Sequence, residues 1–330
     1  MAVELGMALR VSQYAHVHAT DFDRTRVLDA KEFDRIVNVC VSRATTALAT
    51  PAAGYTRLQC AHIADIFNSM KATHRTIRRL LDHQGPIDPE TVDTLAIVRL
   101  QLEGLYAVCL MLEGSEYVTT YMQDYWRKRY VQYLLVKEET KMLPSWQEWY
   151  QSIEPVRQLI LLGKEFGITP DQQFTVEMEE LGTPLPAGVV EQRIPRFPTP
   201  GKAIRYINSS PDKKKMLERL LAKYVDLCSF AHGLAQANLL KIMFDNRSPQ
   251  QKLASHSEIK ARYEAEIVSE AYLTSFFSIA QCTAELTTRY PLNMDIVEAA
   301  NRAWSQLAIA SFLTKAIWEI RTRALLRVIV

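Results

Sequence analysis

The sequence predicts an all-α protein, a helical bundle with long helices, and three observations support that prediction. The 330 residues include 11 glycines and 14 prolines, about 8% together against roughly 12% in average proteins. Apolar residues recur at spacings of three and four through most of the chain, which is the period of a buried helix face. The hairpin dipeptides Asn-Gly and Asp-Gly do not occur, and the alternation typical of strands is nearly absent.

The N-terminal part predicts two helices after about thirty residues of mixed pattern. The first helix spans 29–48, and its apolar positions fall at helical spacing from Phe33 onward. Pro-Ala-Ala-Gly at 51–54 interrupts the pattern, because proline and glycine disfavour a continuous helix. The second helix spans 55–83 and stops before a Gly-Pro break. Residues 1–85 are therefore predicted to form an N-terminal helical segment.

The middle of the chain predicts a long apolar helix followed by an aromatic one. The apolar helix begins near residue 90 and places six side chains on one face. These are Leu95, Val98, Leu102, Leu105, Tyr106 and Cys109. Gly-Ser at 114–115 predicts a turn, and a helix rich in tyrosine follows to about residue 141. Ser145 and Glu148 then have the spacing of a capping box, which predicts a new helix start.

The second half of the chain predicts an extended connection and three further helices. The helices are predicted for 211–240, 248–290 and 295–327. Five of the 14 prolines fall within 183–201, a density that favours an extended crossing segment over a helix. We therefore expect a bundle core made of 86–182 and 202–330, joined by this Pro-rich connection.

Charge, cysteine and terminal patterns exclude several classes of protein. Lys and Arg number 39 against 37 Asp and Glu, so no global charge predicts binding to nucleic acid or to a membrane. The five cysteines include no C-x-x-C pair, which predicts reduced core cysteines instead of a disulfide framework or a zinc site. The first residues lack a basic segment and a long apolar run, so we expect no secretory signal. The expectation is a cytoplasmic protein with no metal, no cofactor and no membrane partner.

Two helices carry cations among other side chains that suit contact with nucleic acid. The first set is Lys71, Arg75, Arg78 and Arg79, and the second is Arg127, Lys128 and Arg129. A basic stripe like the first set can meet phosphates, but the alternative is a solvated face on which Arg78 pairs with Asp82. The second set lies among five tyrosines, a mixture that suits base stacking. The alternative for that helix is an amphipathic packing seam whose hydroxyls reach water.

Arg78 and His83 form an Arg-x4-His sequence, the spacing found in the HEPN ribonucleases. The resemblance implies that Arg78 would stabilise phosphate charge and that His83 would transfer protons near neutral pH. Arg78 and His83 are therefore the candidate catalytic residues if the chain is a nuclease.

Two other segments together resemble an uncharacterised bacterial family of all-helical, HEPN-like proteins. The segment AIVRLQLE carries Arg99 and Glu103, and YVDLCSFAHG carries Tyr224 and His232. Cys228 stands where the family pattern has a small hydroxyl residue. The resemblance implies a HEPN-like helical core. It implies no particular reaction, because the activity of that family is not established.

The spacing of the same four residues carries a prediction of its own. Arg99 and Glu103 are four residues apart, so they can pair across one helical turn. Tyr224 and His232 are eight residues apart and fall on one side of a helix. Because both helices are otherwise apolar, we expect the four side chains to converge inside the bundle. They would form either a structural polar network or a ligand pocket.

These patterns lead to three classes of function. The first is a helical binding or interaction protein of unknown ligand, in a bacterial defence or stress setting. The alternative is a metal-independent HEPN-type ribonuclease with RNA as its partner, and the third class is a purely structural partner protein. The last two helices are apolar on more than one side, with Phe276 and Phe277 in one and Trp304 in the other. Such helices favour a homo-oligomer.

Overall fold

A computed structural model describes most of the chain. The described residues are 30–81, 89–142, 148, 155–168, 196–231, 255–307, 317–322 and 325. Helices account for 84% of the described residues, and no strand occurs among them. The predicted all-α class is therefore confirmed, while the HEPN-like core stays a prediction.

The described helices are numbered in chain order. They are α1 (Ala30–Leu48), α2 (Arg57–Leu81), α3 (Pro89–Met111), α4 (Ser115–Met142), α5 (Pro155–Glu165), α6 (Pro200–Ala203), α7 (Pro211–Ala231), α8 (Ser255–Leu286) and α9 (Met294–Leu307). A 3₁₀ turn at Ile204–Tyr206 follows α6, and a π-helical turn occupies Trp318–Thr322. Four of these helices have 23 or more residues, in accord with the low content of helix breakers.

The chain divides into two compact units. Unit 1 consists of Met1–Glu113 with Pro200–Val330, and unit 2 consists of Gly114–Thr199. Within unit 1, α1 and α2 pack on each other and on α8. The predicted boundary at residue 85 therefore separates helices that lie in the same unit.

The central helix of unit 1 is α8. Every residue from 271 to 287 is buried, and α1, α2, α3 and α9 all pack against this helix. Phe276 lies edge-on to Phe33 of α1, with ring centroids 4.4 Å apart. Phe277 lies edge-on to Trp304 of α9, with centroids 5.8 Å apart. The apolar surface that favoured a homo-oligomer is thus covered within one chain, and the homo-oligomer stays a prediction.

Helix α3 runs parallel to α8 and passes close to α2. The Met70 sulfur of α2 lies 4.0 Å from the Cys282 sulfur, and a Cβ atom on Gly104 would lie 2.8 Å from the same Met70 atom. Just past the C-terminal ends of both helices, Arg289 donates a hydrogen bond to the Leu112 carbonyl at 2.9 Å. Residue numbers therefore rise together along α3 and α8, and a glycine at 104 permits the close approach of α2.

Composition alone would allow part of α3 to cross a membrane. Asp93–Met111 is the one described segment that is long and apolar enough, and 61% of it is buried inside the protein. The core helix of a bundle passes the same test of length and composition. All five cysteines of the chain are free, and Cys228 is the one that is not fully buried, in agreement with the prediction of core cysteines.

Unit 2 is held together by an aromatic seam between α4 and α5. Trp126, Tyr130 and Tyr133 of α4 are buried, and the rings of Trp126 and Tyr130 stack with centroids 5.5 Å apart. The Trp126 indole donates a hydrogen bond to the Leu159 carbonyl of α5 at 2.8 Å. Burial of an aromatic ring whose polar atom finds a partner is typical of packing side chains.

Candidate functional site

Three of the four residues predicted to form a polar cluster lie together between α3 and α7. The Tyr224 hydroxyl donates a hydrogen bond to Glu103 Oε1 at 3.0 Å. Arg99 Nε lies 3.3 Å from the same carboxylate oxygen. His232, the fourth residue, lies outside the described residues. The structure thus brings Arg99, Glu103 and Tyr224 together, and their role in binding stays a prediction.

The expected position of this cluster in the bundle interior is wrong. The side chains of Arg99 and Glu103 are 23% and 36% exposed, and the neighbouring Leu100 and Val225 are 45% and 58% exposed. Val98 is buried in the core. Because each residue of a helix is turned by about 100° from the preceding one, Arg99 points away from the core. The cluster therefore lies on the outer part of the α3–α7 pair.

Neighbouring groups fix the orientation and the protonation state of Tyr224. Its ring lies edge-on to Tyr106, with centroids 6.1 Å apart, and the Tyr106 hydroxyl donates to the Leu217 carbonyl at 2.6 Å. Burial, contact with Cys228 and the charge of Glu103 raise the pKa of Tyr224 well above its ordinary value. Tyr224 is therefore a hydrogen-bond donor to Glu103 at every physiological pH.

The first candidate catalytic residue, Arg78, is engaged in an ion pair. Its guanidinium pairs with the Asp34 carboxylate of α1. Asp82 was predicted to pair with Arg78 on a solvated face, and His83 was predicted to be its catalytic partner. Both residues lie outside the described residues. The structure thus gives Arg78 a carboxylate partner on another helix, which the sequence did not predict, and the nuclease role of Arg78 and His83 stays a prediction.

An unpredicted chain of hydrogen bonds joins Asp34 to the centre of unit 1. His74 Nε2 lies 3.2 Å from Asp34 Oδ1, and His74 Nδ1 lies 2.8 Å from the Ser275 hydroxyl of α8. The Tyr272 hydroxyl also donates to Asp34 Oδ1, at 3.3 Å. Because a carboxylate only accepts, Nε2 carries the imidazole proton, and Ser275 then donates to Nδ1.

Ser275, His74 and Asp34 are linked by hydrogen bonds, and the same three residue types form the triads of many hydrolases. In such triads the serine hydroxyl is open to substrate, and the aspartate is buried behind the histidine. Here Ser275 and His74 are fully buried, and Asp34 is the member nearest to solvent. The order of exposure is therefore reversed, and the serine is not accessible as a nucleophile. This chain connects α1, α2 and α8 as a structural element.

A second unpredicted cluster of charges is buried at one end of unit 1. It contains two carboxylates and two cations from four segments: Glu113 after α3, Lys213 of α7, Glu285 of α8 and Arg321 of the π-helical turn. Lys213 Nζ lies 2.7 Å from Glu113 Oε1 and 3.7 Å from Glu285 Oε2. Arg321 donates two hydrogen bonds to Glu285, each of 2.7 Å. We call this cluster the buried charge network.

The remaining polar atoms of the buried charge network also have partners. Backbone N–H groups of Asn208 and Ser209 donate to Glu113 at 2.9 and 2.8 Å, and Gln281 donates to Glu285 at 2.9 Å. Burial alone would raise the pKa of Glu113, but the hydrogen bonds and charge of Lys213 lower it to about 2. The network is electrically balanced and closed, which favours a structural role over ligand binding.

The α2 cations that were predicted to contact nucleic acid differ in their exposure to solvent. Arg75 is exposed and donates to Asn38 Oδ1 at 3.3 Å, Arg79 is exposed, and Lys71 is half-buried. Their contact with nucleic acid stays a prediction.

The cations predicted on α4 are held by side chains of the same helix. Arg127 is buried and lies 2.6 Å from Asp124, and Lys128 lies 2.9 Å from the other oxygen of that carboxylate. Arg129 donates to the Tyr125 hydroxyl at 3.1 Å. The buried aromatic rings of this helix correspond to the packing-seam alternative. The predicted role of Arg127, Lys128 and Arg129 in nucleic-acid binding stays untested.

Within the described part of the chain, no three His, Cys, Asp or Glu side chains come together as metal ligands do. No family model, curated protein or solved structure matches the chain. The resemblance to HEPN-like proteins therefore has no support outside the residues that suggested it, and it stays a prediction.

Proposed function

We propose that this chain is a helical binding protein whose ligand site is the outer surface of the α3–α7 pair. We define this α3–α7 surface by Arg99, Leu100 and Glu103 of α3 with Tyr224 and Val225 of α7. It combines a cation, a carboxylate and a phenol with two exposed apolar side chains. A few fixed polar groups beside apolar side chains are one element of small-molecule sites.

The incomplete bonding of Arg99 is the observation that carries this proposal. Arg99 Nε is shielded from water and forms no hydrogen bond of good geometry among the described residues, and its ion-pair partner Glu103 Oε1 lies 3.3 Å away. A buried donor without an acceptor costs about 1–3 kcal/mol. A ligand that supplied the acceptor would recover that free energy on binding.

The chemistry of the surface indicates an organic anion. A guanidinium binds carboxylate and phosphate groups through paired hydrogen bonds. When Arg99 turns towards a ligand, Glu103 still accepts the hydrogen bond from the Tyr224 hydroxyl. The exposed Leu100 and Val225 would contact an apolar part of the same molecule. A setting in bacterial defence or stress stays a prediction.

The test uses two simple probes, hexanoate and hexyl phosphate, with inorganic phosphate as the probe that lacks an apolar part. Isothermal titration calorimetry should detect binding of the alkyl anions to the wild-type protein. Arg99→Gln should weaken that binding about tenfold or more, the usual effect of losing a charged hydrogen bond. The matched control is Arg57→Gln, an exposed arginine on α2, which should bind like wild type. Equal binding by wild type and Arg99→Gln, or no binding by either, would overturn the proposal.

A further inference from the structure

A second surface of unit 1 carries cations that are not used in packing. It is formed by α6, the 3₁₀ turn and the first half of α7. Its members are Lys202, Arg205, Lys214, Lys215 and Arg219, together with the aromatic side chain of Tyr206. We call it the α6–α7 basic surface. Lys214 is half-buried, and the other four cations are exposed.

None of these five cations forms an ion pair or a side-chain hydrogen bond within the described part of the chain. The adjacent Lys213 is different, because it turns inward to Glu113 at 2.7 Å. Cations on other helices, such as Arg43 and Lys128, have carboxylates at 3.0 and 2.9 Å. The α6–α7 basic surface thus keeps its positive charge facing solvent.

The positive charge of this surface exceeds the negative charge of the carboxylates in the same segment of the chain. Between 200 and 219 the carboxylates are Asp212 and Glu218, and Glu113 is already occupied by Lys213. Five cations against two carboxylates leave an excess of three positive charges. The whole chain has a net charge of only +2, so the excess is local to this surface.

The geometry gathers these residues on adjacent elements. Gly201 of α6 packs on Leu221 of α7, since a Cβ atom at 201 would lie 3.7 Å from that side chain. Lys214 is two turns before Leu221 and falls on the same side of α7. Lys215 and Arg219 are one turn apart and lie about 100° and 140° around α7 from Lys214, so the positive charge extends around α7 from the side that contacts α6.

We infer that the α6–α7 basic surface binds the backbone of a single-stranded nucleic acid. Unpaired Lys and Arg side chains attract phosphates and release counterions when they bind. Tyr206 is 46% exposed beside Arg205, and an exposed aromatic ring next to cations is the platform on which unpaired bases stack. This inference goes beyond the proposed binding of a small anion and uses none of the residues of the α3–α7 surface.

The test measures fluorescence anisotropy of a fluorescein-labelled polyuridylate oligonucleotide over a series of salt concentrations. The variant Arg205→Gln/Lys215→Gln/Arg219→Gln should raise the Kd about tenfold or more. It should also lower the slope of log K against log salt by about 2, because each phosphate contact contributes about 0.7 for a single strand. Tyr206→Ala should weaken binding about fivefold or more, since it removes a stacking surface, while Tyr206→Phe should keep the affinity.

The matched control removes three exposed cations elsewhere, as Arg57→Gln/Lys164→Gln/Arg302→Gln, and should stay within about twofold of wild type. Circular dichroism melting curves should be alike for both variants, since exposed side chains contribute little to stability. Equal losses in both variants, or no binding by wild type, would overturn the inference. Phosphatidylserine vesicles serve as a second probe, and binding to vesicles without binding to the oligonucleotide would overturn it as well.

Discussion

Glu285 shows what burial requires of a single charged residue. Its side chain is fully buried in α8, and it accepts hydrogen bonds from Arg321 and from Gln281. Burial alone would lower the pKa of Arg321, but the hydrogen bonds and charge of Glu285 raise it above its ordinary value. Arg321 therefore stays charged in the interior, next to Glu285. The stability of the pair depends on both partners being present, because neither charge can be solvated alone.

Arg321→Met should lower the free energy of unfolding by about 3–5 kcal/mol, because it leaves the Glu285 charge without its closest partner. Urea denaturation followed by circular dichroism measures the change. The control is Arg302→Met, since Arg302 is exposed and lies 3.8 Å from Glu32. Surface pairs contribute only about 0–1 kcal/mol. A loss in Arg321→Met no larger than that of the control would show that the buried charge network adds nothing to stability.

The sequence predicted local side-chain pairs better than distant ones. Arg99 and Glu103 are four residues apart on a helix, so the spacing alone indicated that they could meet. The members of the buried charge network come from four segments of the chain, and no periodicity relates Lys213 to Glu285 or Arg321. The link from His74 to Asp34 and Ser275 has the same origin. Such contacts follow from tertiary packing, which a single sequence does not encode in any short pattern.

At the scale of the element, helix ends follow local chemistry. α2 begins after Thr56, whose hydroxyl accepts from the Gln59 N–H at 3.2 Å, while the Gln59 side chain accepts from the Thr56 N–H at 2.8 Å. This reciprocal arrangement is a capping box. It satisfies N–H groups that have no partner within the helix. The spacing Thr-x-x-Gln was visible in the sequence, and it marks this start more accurately than the predicted start at Tyr55.

Thr56→Ala should lower the free energy of unfolding by about 0.5–2 kcal/mol, the usual effect of losing an N-cap. The matched control is Thr76→Ala in the same helix. Thr76 is exposed, and its hydroxyl bonds only to the Ala72 carbonyl at 3.2 Å. Alanine has the higher helix propensity, so the control should be neutral or slightly stabilising. Urea midpoints of the two variants give the comparison, and equal values would refute the capping argument.

The start of α7 at Pro211 was predicted correctly, whereas the end of α8 was not, although a proline lies close to it. α8 was predicted to reach Tyr290, but it ends at Leu286. The residue before Pro291 is disfavoured in helical conformation, and the Thr287 hydroxyl bonds back to the Ala284 carbonyl at 2.6 Å. The predicted helix 295–327 includes a π-helical turn at Trp318–Thr322. No short sequence pattern marks this turn. Its Arg321 bonds to Glu285 of α8, and that contact depends on tertiary packing.

At the scale of the whole molecule, α8 is a buried helix that carries many polar side chains. Its buried hydroxyls bond to the carbonyls of their own helix, as Ser278 does to Thr274 and Thr283 does to Ile279, each at 2.8 Å. Other polar groups of α8 bond outward, as Ser275 does to His74 of α2. The sequence predicted a long apolar helix here. It could not show that every side of the helix would be covered, since that depends on how many neighbours pack around it.

The pH dependence of the stability of the whole protein should reflect His74. Burial lowers the pKa of His74 to about 4, whereas a histidine in the unfolded chain titrates near 6.5. Between these values the unfolded chain binds a proton that the folded protein does not, so the folded state loses stability as the pH falls from about 6.5 to about 4. A shift of this size corresponds to at most about 3 kcal/mol. Below pH 4, His74 adds no further loss, and Glu113, whose pKa is lowered to about 2, continues the decline from about pH 4.5.

Urea midpoints measured from pH 7.5 to pH 4 check this dependence. His74→Gln removes the titrating group, so the decline between pH 6.5 and pH 4 should flatten even if the variant is less stable at neutral pH. Where that variant does not fold, an NMR titration of the His74 imidazole in the wild-type protein gives the pKa directly. A His74 pKa near or above 6.5 would contradict the argument, because the pairing with Asp34 would then outweigh burial and acid would stabilise the fold.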